Sequence, residues 1–378
     1  MNLSEPTTWS VTGPGAYAAR LPRGEEFHFR IDREDLPFTN LCEVAIRNNP
    51  RRRFLFVSRV LGRHWPVRPA ALRDVAARLA KKVSQLDLGD PTIFIGMAET
   101  ATSLGQAVFR EWRNMGRSGL YIESTRRRTG GAIAFQFSEI HSHASLHLIH
   151  QPGAKEDPGK WFAHARHVVI VDDEATTKAT ASALIRALRE WRPNVPFSSC
   201  LAAILTWKVQ PTAPPHDLDS IVALVEGSFE FCSAADFPSP PRPRDAVGSS
   251  VPTRREPRHG VRDPEALPSD WDVSVAPGER ILVVGNGEHG YRPLLLAEAL
   301  EFGGALSWLQ ATTRSPILPG GGIGHVREFP ALSGEDHREF LYNVPDDHPY
   351  TRVILCTEDS VPSRNHPIWQ IPHLEVRS

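Results

Sequence analysis

The sequence VVIVDDEATTKAT, residues 168–180, places two adjacent carboxylates at the end of an apolar run and follows them with three threonines. Asp172 and Asp173 at a strand end repel one another unless hydroxyl groups or a cation satisfy them. Glu174, Ala175, Thr176, Thr177, Lys178, Ala179 and Thr180 then read as the opening of a helix. Unpaired amides at a helix start attract a phosphate, and the threonine hydroxyls add donors. A ribose 5-phosphate satisfies both parts, with its hydroxyls at the carboxylates, its phosphate in the threonine turn and Mg²⁺ nearby. Such a turn belongs where an α/β crossover strand delivers its C-terminal end to a ligand crevice.

Three other readings use a similar strand. An ATPase acidic strand needs a GxxxxGK[ST] loop upstream, and GNGEHGYR (285–292) lacks both the lysine and the hydroxyl. A phosphoacceptor receiver domain needs a further aspartate at a later strand end, whereas Asp217 and Asp219 stand ahead of a strand. The plainest alternative is a helix cap beside two solvated aspartates.

The elements that must position this turn are legible as alternating patterns. RFLFVSRVL (53–61) reads as a strand, and Leu72, Val75, Ala76, Leu79, Val83 and Leu86 recur at helical spacing after it. TIFIG (92–96), a helix around 103–115, GLYIEST (119–125), ASLHLI, HVVIVDD, a helix over 177–191 and CLAAILTW follow. Apolar strands separated by helices predict a mostly parallel sheet covered on both faces. Residues 233–269 are rich in Pro, Arg and Ser without apolar periodicity, and read as a solvated linker. Beyond it the first region is echoed. Gly96 and Glu99 match Gly285 and Glu288 as strand–Gly–x–x–Glu, and Thr125-Arg126 matches Thr313-Arg314 about 30 residues beyond each glycine. VVIVDDE has a weaker counterpart in RVILCTED. The order suggests a duplicated half, degenerate at its acidic strand; generic βαβ units that merely look alike are the alternative.

The 378 residues carry a net charge near −1, which gives no global reason to bind nucleic acid or a membrane surface. The four cysteines lack CxxC spacing, so neither a disulfide framework nor a zinc ribbon is indicated. No basic start with an apolar run marks a secretory signal, and no apolar stretch approaches the roughly 20 residues of a membrane helix. The expectation is a cytoplasmic protein.

The apolar strand, Asp-Asp and T-T-x-x-T resemble the 5-phosphoribosyl 1-pyrophosphate (PRPP) signature of type I phosphoribosyltransferases. With FLFVSRVLGRHWPV, GMAETATSLG, STRR, EIHSHAS and TTRSPI, the set resembles an orotate-phosphoribosyltransferase-like branch. That branch is associated with tellurium-resistance gene clusters and carries a C-terminal domain named for Thr-Arg-Ser-Pro. The resemblance implies an α/β fold: a type I phosphoribosyltransferase-like parallel sheet flanked by helices, plus a second, smaller α/β domain that reads as the degenerate duplicate. The expected divisions are an N-terminal segment 1–45, the transferase-like domain 46–232, the linker 233–269 and a TRSP-type domain 270–378.

It also implies residue roles and a reaction. A Mg²⁺-dependent transfer of the phosphoribosyl group from PRPP to a base-like or acidic acceptor would release pyrophosphate and give a nucleoside-like product. Asp172 and Asp173 would hold the ribose hydroxyls and Mg²⁺, and residues 174–180 the 5′-phosphate. Gly96, Met97, Ala98, Glu99 and Thr100 resemble the pyrophosphate loop. Arg126 and Arg127 lie in a basic flap, STRRRTGG, with Arg126 the catalytic candidate and Arg127 on pyrophosphate. Arg59, Arg63 and His64 fall in the hood over the acceptor, and Glu139, His141 and His143 on its side or at the flap. In the second domain Glu288, His289, Tyr291, Thr313, Arg314 and Ser315 would form an anion or acceptor site, beside PGGGIGH (319–325) as a flexible loop. Pairing into a homodimer would let one subunit's flap reach its neighbour. One position departs from the signature: Lys178 stands where glycine is usual, in a turn whose backbone glycine tolerates best. That departure motivates a second reading, a non-catalytic PRPP or nucleotide sensor. A third, an RNA-binding accessory using the basic segment 47–68, runs against the neutral overall charge.

Overall fold

A computed structural model describes residues 6–47, 52–138, 146–153, 157–208, 216–233, 257–358 and 361–378. The chain opens with β1 (Thr8–Gly13), β2 (Ala16–Arg20), β3 (Glu26–Glu34), the short α1 (Phe38–Leu41) and a hairpin of β4 (Cys42–Ile46) and β5 (Phe54–Ser58). There follow α2 (Pro69–Ser84), β6 (Thr92–Gly96), α3 (Thr102–Asn114), β7 (Gly119–Glu123) and a second hairpin of β8 (Ile133–Ser138) and β9 (Leu146–His150). Next come α4 (Asp157–His164), β10 (His167–Ala175), α5 (Ala179–Trp191), β11 (Ser198–Trp207) and β12 (Ser220–Cys232). One eight-stranded sheet runs β1-β2-β3-β12-β11-β10-β6-β7, parallel from β12 to β7 and antiparallel from β1 to β12. The parallel strands are buried on both faces, as their unbroken apolar runs require.

Helix α2 buries the predicted stripe of Leu72, Val75, Ala76, Leu79 and Val83, starts with Pro69 in its first turn and ends at Ser84. The amino-terminal strands extend the sheet rather than standing apart. In β3, Phe27 and Phe29 point inward while His28 and Arg30 face solvent, the period-2 pattern of a half-buried strand. With Phe38, Phe56, Trp207 and Phe229 they form an aromatic cluster under the β4–β5 hairpin.

The second half contains β13 (Arg280–Gly285), α6 (Tyr291–Phe302), β14 (Leu306–Ala311), a hairpin of β15 (Val326–Pro330) and β16 (Arg338–Tyr342), β17 (Arg352–Cys356), a 3-10 turn (Pro367–Gln370) and β18 (Leu374–Arg377). Its parallel sheet runs β14-β13-β17-β18, the order of β7-β6-β10-β11 in the first half. In each half a hairpin follows the edge strand. The backbone contacts repeat as well. Met97 N donates to Val171 O (3.0 Å), and Asn286 N to Cys356 O (3.2 Å). Ser124 N reaches Gly96 O (3.0 Å), and Thr312 N reaches Gly285 O (2.9 Å). Ala98 N donates to the Ser124 hydroxyl (2.9 Å), and Gly287 N to the Thr312 hydroxyl (2.8 Å). Thr125 exchanges backbone bonds with Leu148 as Thr313 does with Phe340. Generic βαβ resemblance does not account for matched bonds at matched residues, so the echo read in the sequence is a structural one.

The halves share one core, with α6 against α2 and α3. Arg110 on α3 grips Glu298 on α6 through both guanidinium nitrogens (2.8 and 2.9 Å). Two expectations are corrected here. Residues 257–269 do not behave as a solvated linker: Val261 pairs with Tyr121 at the edge of β7, and Arg258 is 1% exposed. Residues 234–256 lie outside the described residues. The PGGGIGH segment is packed, since Gly322 N bonds Val44 O (2.9 Å) and a Cβ at Gly322 would sit 2.6 Å from the Glu43 side chain. Among the described residues no helix is long and apolar enough to cross a membrane.

Candidate active site

A cavity of about 330 Å³ opens at the C-terminal ends of β6 and β10. Asp172, Asp173 and all of residues 174–180 line it, so the acidic strand end and the threonine turn share one hollow. Burial, then the adjacent Glu174 carboxylate, push the Asp173 carboxyl up to about 6, against the hydrogen bond with Asp172 and the attraction of Arg52. Glu174 is held by Arg52 (2.7 Å) and by the Thr176 hydroxyl (2.5 Å).

Lys178 caps α5 with φ +58°, the left-handed conformation that favours glycine. Its ammonium donates to Thr176 O (3.0 Å) and to Trp207 O, tying the turn to the end of β11. The lysine therefore keeps the turn's geometry and directs its charge at carbonyls.

Met97, Ala98, Glu99, Thr100 and Arg126 line the same cavity; Gly96 does not. A Cβ on Gly96 would lie 2.2 Å from the Tyr121 hydroxyl, so packing within the sheet demands this glycine. Arg127 also stands away from the cavity. It is buried at 3.5 Å from Glu358 and 3.8 Å from Glu335, aimed at the second half. The backbone bends at both residues, and only Arg126 of the pair lines the hollow.

Of the hood residues, His64 lines the cavity. Burial, then Arg63 and Arg47, push its imidazole down to about 3, so it is neutral at physiological pH. Its Nε2 has no hydrogen-bond partner among the described residues. Arg59 instead pairs with Glu43 (2.7 Å) over the Trp65 ring, outside the cavity. Arg63 is a clasp between halves, donating to Gly287 O (2.6 Å), Thr312 O (2.7 Å) and Glu99 O. Glu139, His141 and His143 lie outside the described residues. Sequence reasoning missed Arg47, Arg52, Phe54, Phe56 and His147 on the wall. Phe54, Leu55 and Phe56 all line the cavity, so the apolar start of β5 was the available signal for these.

The second-domain candidates divide. Thr313, Arg314 and Ser315 line the cavity, while Glu288 and Tyr291 do not. Glu288 accepts from the Thr125 hydroxyl (2.5 Å), from Arg126 N (2.9 Å) and from Arg258 (3.2 Å). Arg258 is the largest of the influences that overcome burial and hold the Glu288 carboxyl down at about 2. The reciprocal contact exists: Arg314 N donates to Glu99 Oε1 (3.2 Å). Each half thus caps the Thr-Arg amide of the other with the glutamate of its Gly-x-x-Glu loop. Tyr291 is buried at the start of α6 with Arg110 over its ring.

A family model described as a phosphoribosyl transferase matches residues 41–223, and a second, the TRSP domain C-terminal to that transferase, matches residues 265–370. The chain thus carries a phosphoribosyl transferase domain followed by its TRSP domain. By family it is a pentosyltransferase, with a transferase half and a TRSP half. No curated protein matches the chain. Similar solved structures include adenine phosphoribosyltransferase from Rhodothermus marinus, 14% identical over 50% of this chain and 95% of that one, TM-score 0.31. Another is the Trypanosoma brucei adenine enzyme in complex with AMP, pyrophosphate and ribose-5-phosphate, 13% identical over 50% and 80%, TM-score 0.32. The Helicobacter pylori xanthine-guanine-hypoxanthine enzyme is 15% identical over 41% and 82%, TM-score 0.26.

Proposed function

We propose that the cavity binds PRPP and transfers its phosphoribosyl group to a base-like or acidic acceptor, releasing pyrophosphate. The carrying observation is that Asp172, Asp173 and the turn 174–180 line one hollow with Met97–Thr100 and Arg126. The bond from ribose C1 to the pyrophosphate oxygen breaks with its electron pair leaving on pyrophosphate. A lone pair of the acceptor forms the new bond to C1, and the acceptor's proton is lost to water. Positive charge develops on the sugar and negative charge on the leaving group, so the site's task is positioning and electrostatic complement. Asp172 and Asp173 accept from the ribose hydroxyls beside the developing cation. The turn's amides and the Thr176, Thr177 and Thr180 hydroxyls take the 5′-phosphate, and the loop 97–100 with Arg126 takes pyrophosphate.

Mg²⁺ fits this set through Asp172 and Asp173, whose crowded carboxylates favour a cation. Among the described residues no cluster of three or more His, Cys, Asp or Glu is placed to hold a metal ion, so ligand oxygens would complete its shell. Bound there, Mg²⁺ would neutralise the departing pyrophosphate.

Pyrophosphate release from PRPP and Mg²⁺ across a panel of heterocyclic bases and carboxylates tests the reading. Release by the wild type, lost in Asp172→Asn/Asp173→Asn with unchanged circular dichroism, is the expected result. Binding without release across the panel would mark a sensor on the same fold; unchanged release in the double variant would end the assignment.

A further inference from the structure

The TRSP half does more at the cavity than cover it. Its Thr313, Arg314 and Ser315 form part of the wall together with Met97–Thr100 of the transferase half, where Arg314 N meets Glu99. Their main chain is fixed there. Arg314 N is held by Glu99, Ser315 N donates to the Thr313 hydroxyl (3.2 Å), and Arg63 clasps the carbonyls of Glu99, Gly287 and Thr312. Two side chains then stand ready for an anion. The Arg314 side chain is 16% exposed, with Glu335 at 3.4 Å. Ser315 Oγ is shielded from solvent and has no hydrogen-bond partner among the described residues. A shielded hydroxyl left unsatisfied costs about 1–3 kcal/mol, which a ligand oxygen would remove.

The matched residue in the transferase half sharpens the point. Thr125-Arg126-Arg127 and Thr313-Arg314-Ser315 occupy equivalent places, and Arg126 and Arg314 both line the one cavity. The loop between them, 97–100, is the one that would face the leaving group. Two arginines on one cavity wall with that loop suit a multiply charged anion far better than a neutral acceptor.

We propose that the TRSP half is a built-in partner that completes the active site within one chain, placing Arg314 and Ser315 on the pyrophosphate group of the ligand. This rests on the PRPP reading of the cavity. Arg314 contacts the pyrophosphate oxygens directly and so discriminates ligands that carry this group from those that do not. Ser315 donates its hydroxyl to the same group.

Isothermal titration of the full chain with two probes, magnesium pyrophosphate and ribose 5-phosphate, tests it. Ribose 5-phosphate reports the threonine turn and the acid pair, and carries no pyrophosphate. Arg314→Met should weaken magnesium pyrophosphate roughly tenfold or more while moving ribose 5-phosphate less than about twofold, and Arg314→Lys should recover part of the loss. Ser315→Ala should weaken pyrophosphate by roughly threefold without lowering the melting temperature, because no protein bond is lost. Should Arg314→Met fail to fold, the Ser315→Ala arm decides. Unchanged pyrophosphate affinity in every folded variant, or an equal loss for both probes, would overturn the assignment while leaving the PRPP reading in place. If the wild type binds neither probe, the PRPP reading itself fails and takes this inference with it.

Discussion

In the last residues of β10, where it has passed the end of β6, Asp172 and Asp173 line an open hollow; at the matching place just after β17, Thr357 and the Glu358 side chain are buried in protein. Arg258 fills the second place, bonded to Glu358 through both terminal nitrogens and to Glu288 at 3.2 Å, with Arg127 also near Glu358. The carboxyls respond in opposite directions. Asp173 is pushed up by burial and by Glu174, whereas burial of Glu358 is outweighed by Arg258, which holds its carboxyl below the usual range. One framework therefore supports two outcomes. A buried acid supplied with an internal cation becomes structure, and one left facing a cavity stays available to a ligand.

Removing the internal cation should break the comparison most visibly. Arg258→Met leaves Glu288 and Glu358 buried with only the more distant Arg127 as an arginine counter-ion among the described residues, and should cost about 3–5 kcal/mol in denaturant unfolding. A cost under about 1 kcal/mol would mean that the second half is not held together by this pair.

The crossed glutamates sharpen the comparison next. Glu288 titrates near 2 in the folded chain, so the stability it contributes is present above its ordinary value of 4.5 and lost as pH falls through about 2. Glu288→Gln should cost about 1–3 kcal/mol at neutral pH. Glu99→Gln should cost less, since its carboxylate caps one amide, stands 3.6 Å from Arg63 rather than in a buried pair as close as that of Glu288, and faces the cavity. Equal costs would argue against the asymmetry.

The smallest effect has the opposite sign. Asp173 titrates at about 6 when folded against 3.8 ordinarily, so the stability linked to its protonated form is lost as pH rises through about 6. Asp173→Asn should raise the melting temperature by about 2–4 °C near neutral pH and leave it unchanged below the ordinary value. A lower melting temperature at neutral pH would show that the carboxylate is already satisfied within the protein.

That the acids and threonines share one cavity was legible because they are close in sequence. The acids and threonines that matter stand within nine residues, and a strand followed by a helix must bring them together. The echo of Gly-x-x-Glu and Thr-Arg was legible for the same reason. What escaped the sequence was long-range pairing. Arg258 reads as one charge in a Pro/Arg-rich stretch, and nothing near it announces a partner 100 residues away. Arg126 and Arg127 look equivalent in a run of arginines, yet a bend in the backbone leaves one on the cavity wall and the other beside Glu335 and Glu358. Gly96 invites a ligand-based reading, while the hydroxyl that requires it comes from Tyr121 on the next strand. Lys178 stands where such a turn usually has glycine, and its left-handed backbone with a stapled amine shows how a lysine can hold that place.

The most direct test of one ligand-ready half and one closed half is the stoichiometry of PRPP binding in the presence of Mg²⁺. Calorimetric titration of the intact chain should give one PRPP per chain, and none once both aspartates at the end of β10 are asparagine. Two PRPP per chain, or one that survives the double substitution, would contradict the account.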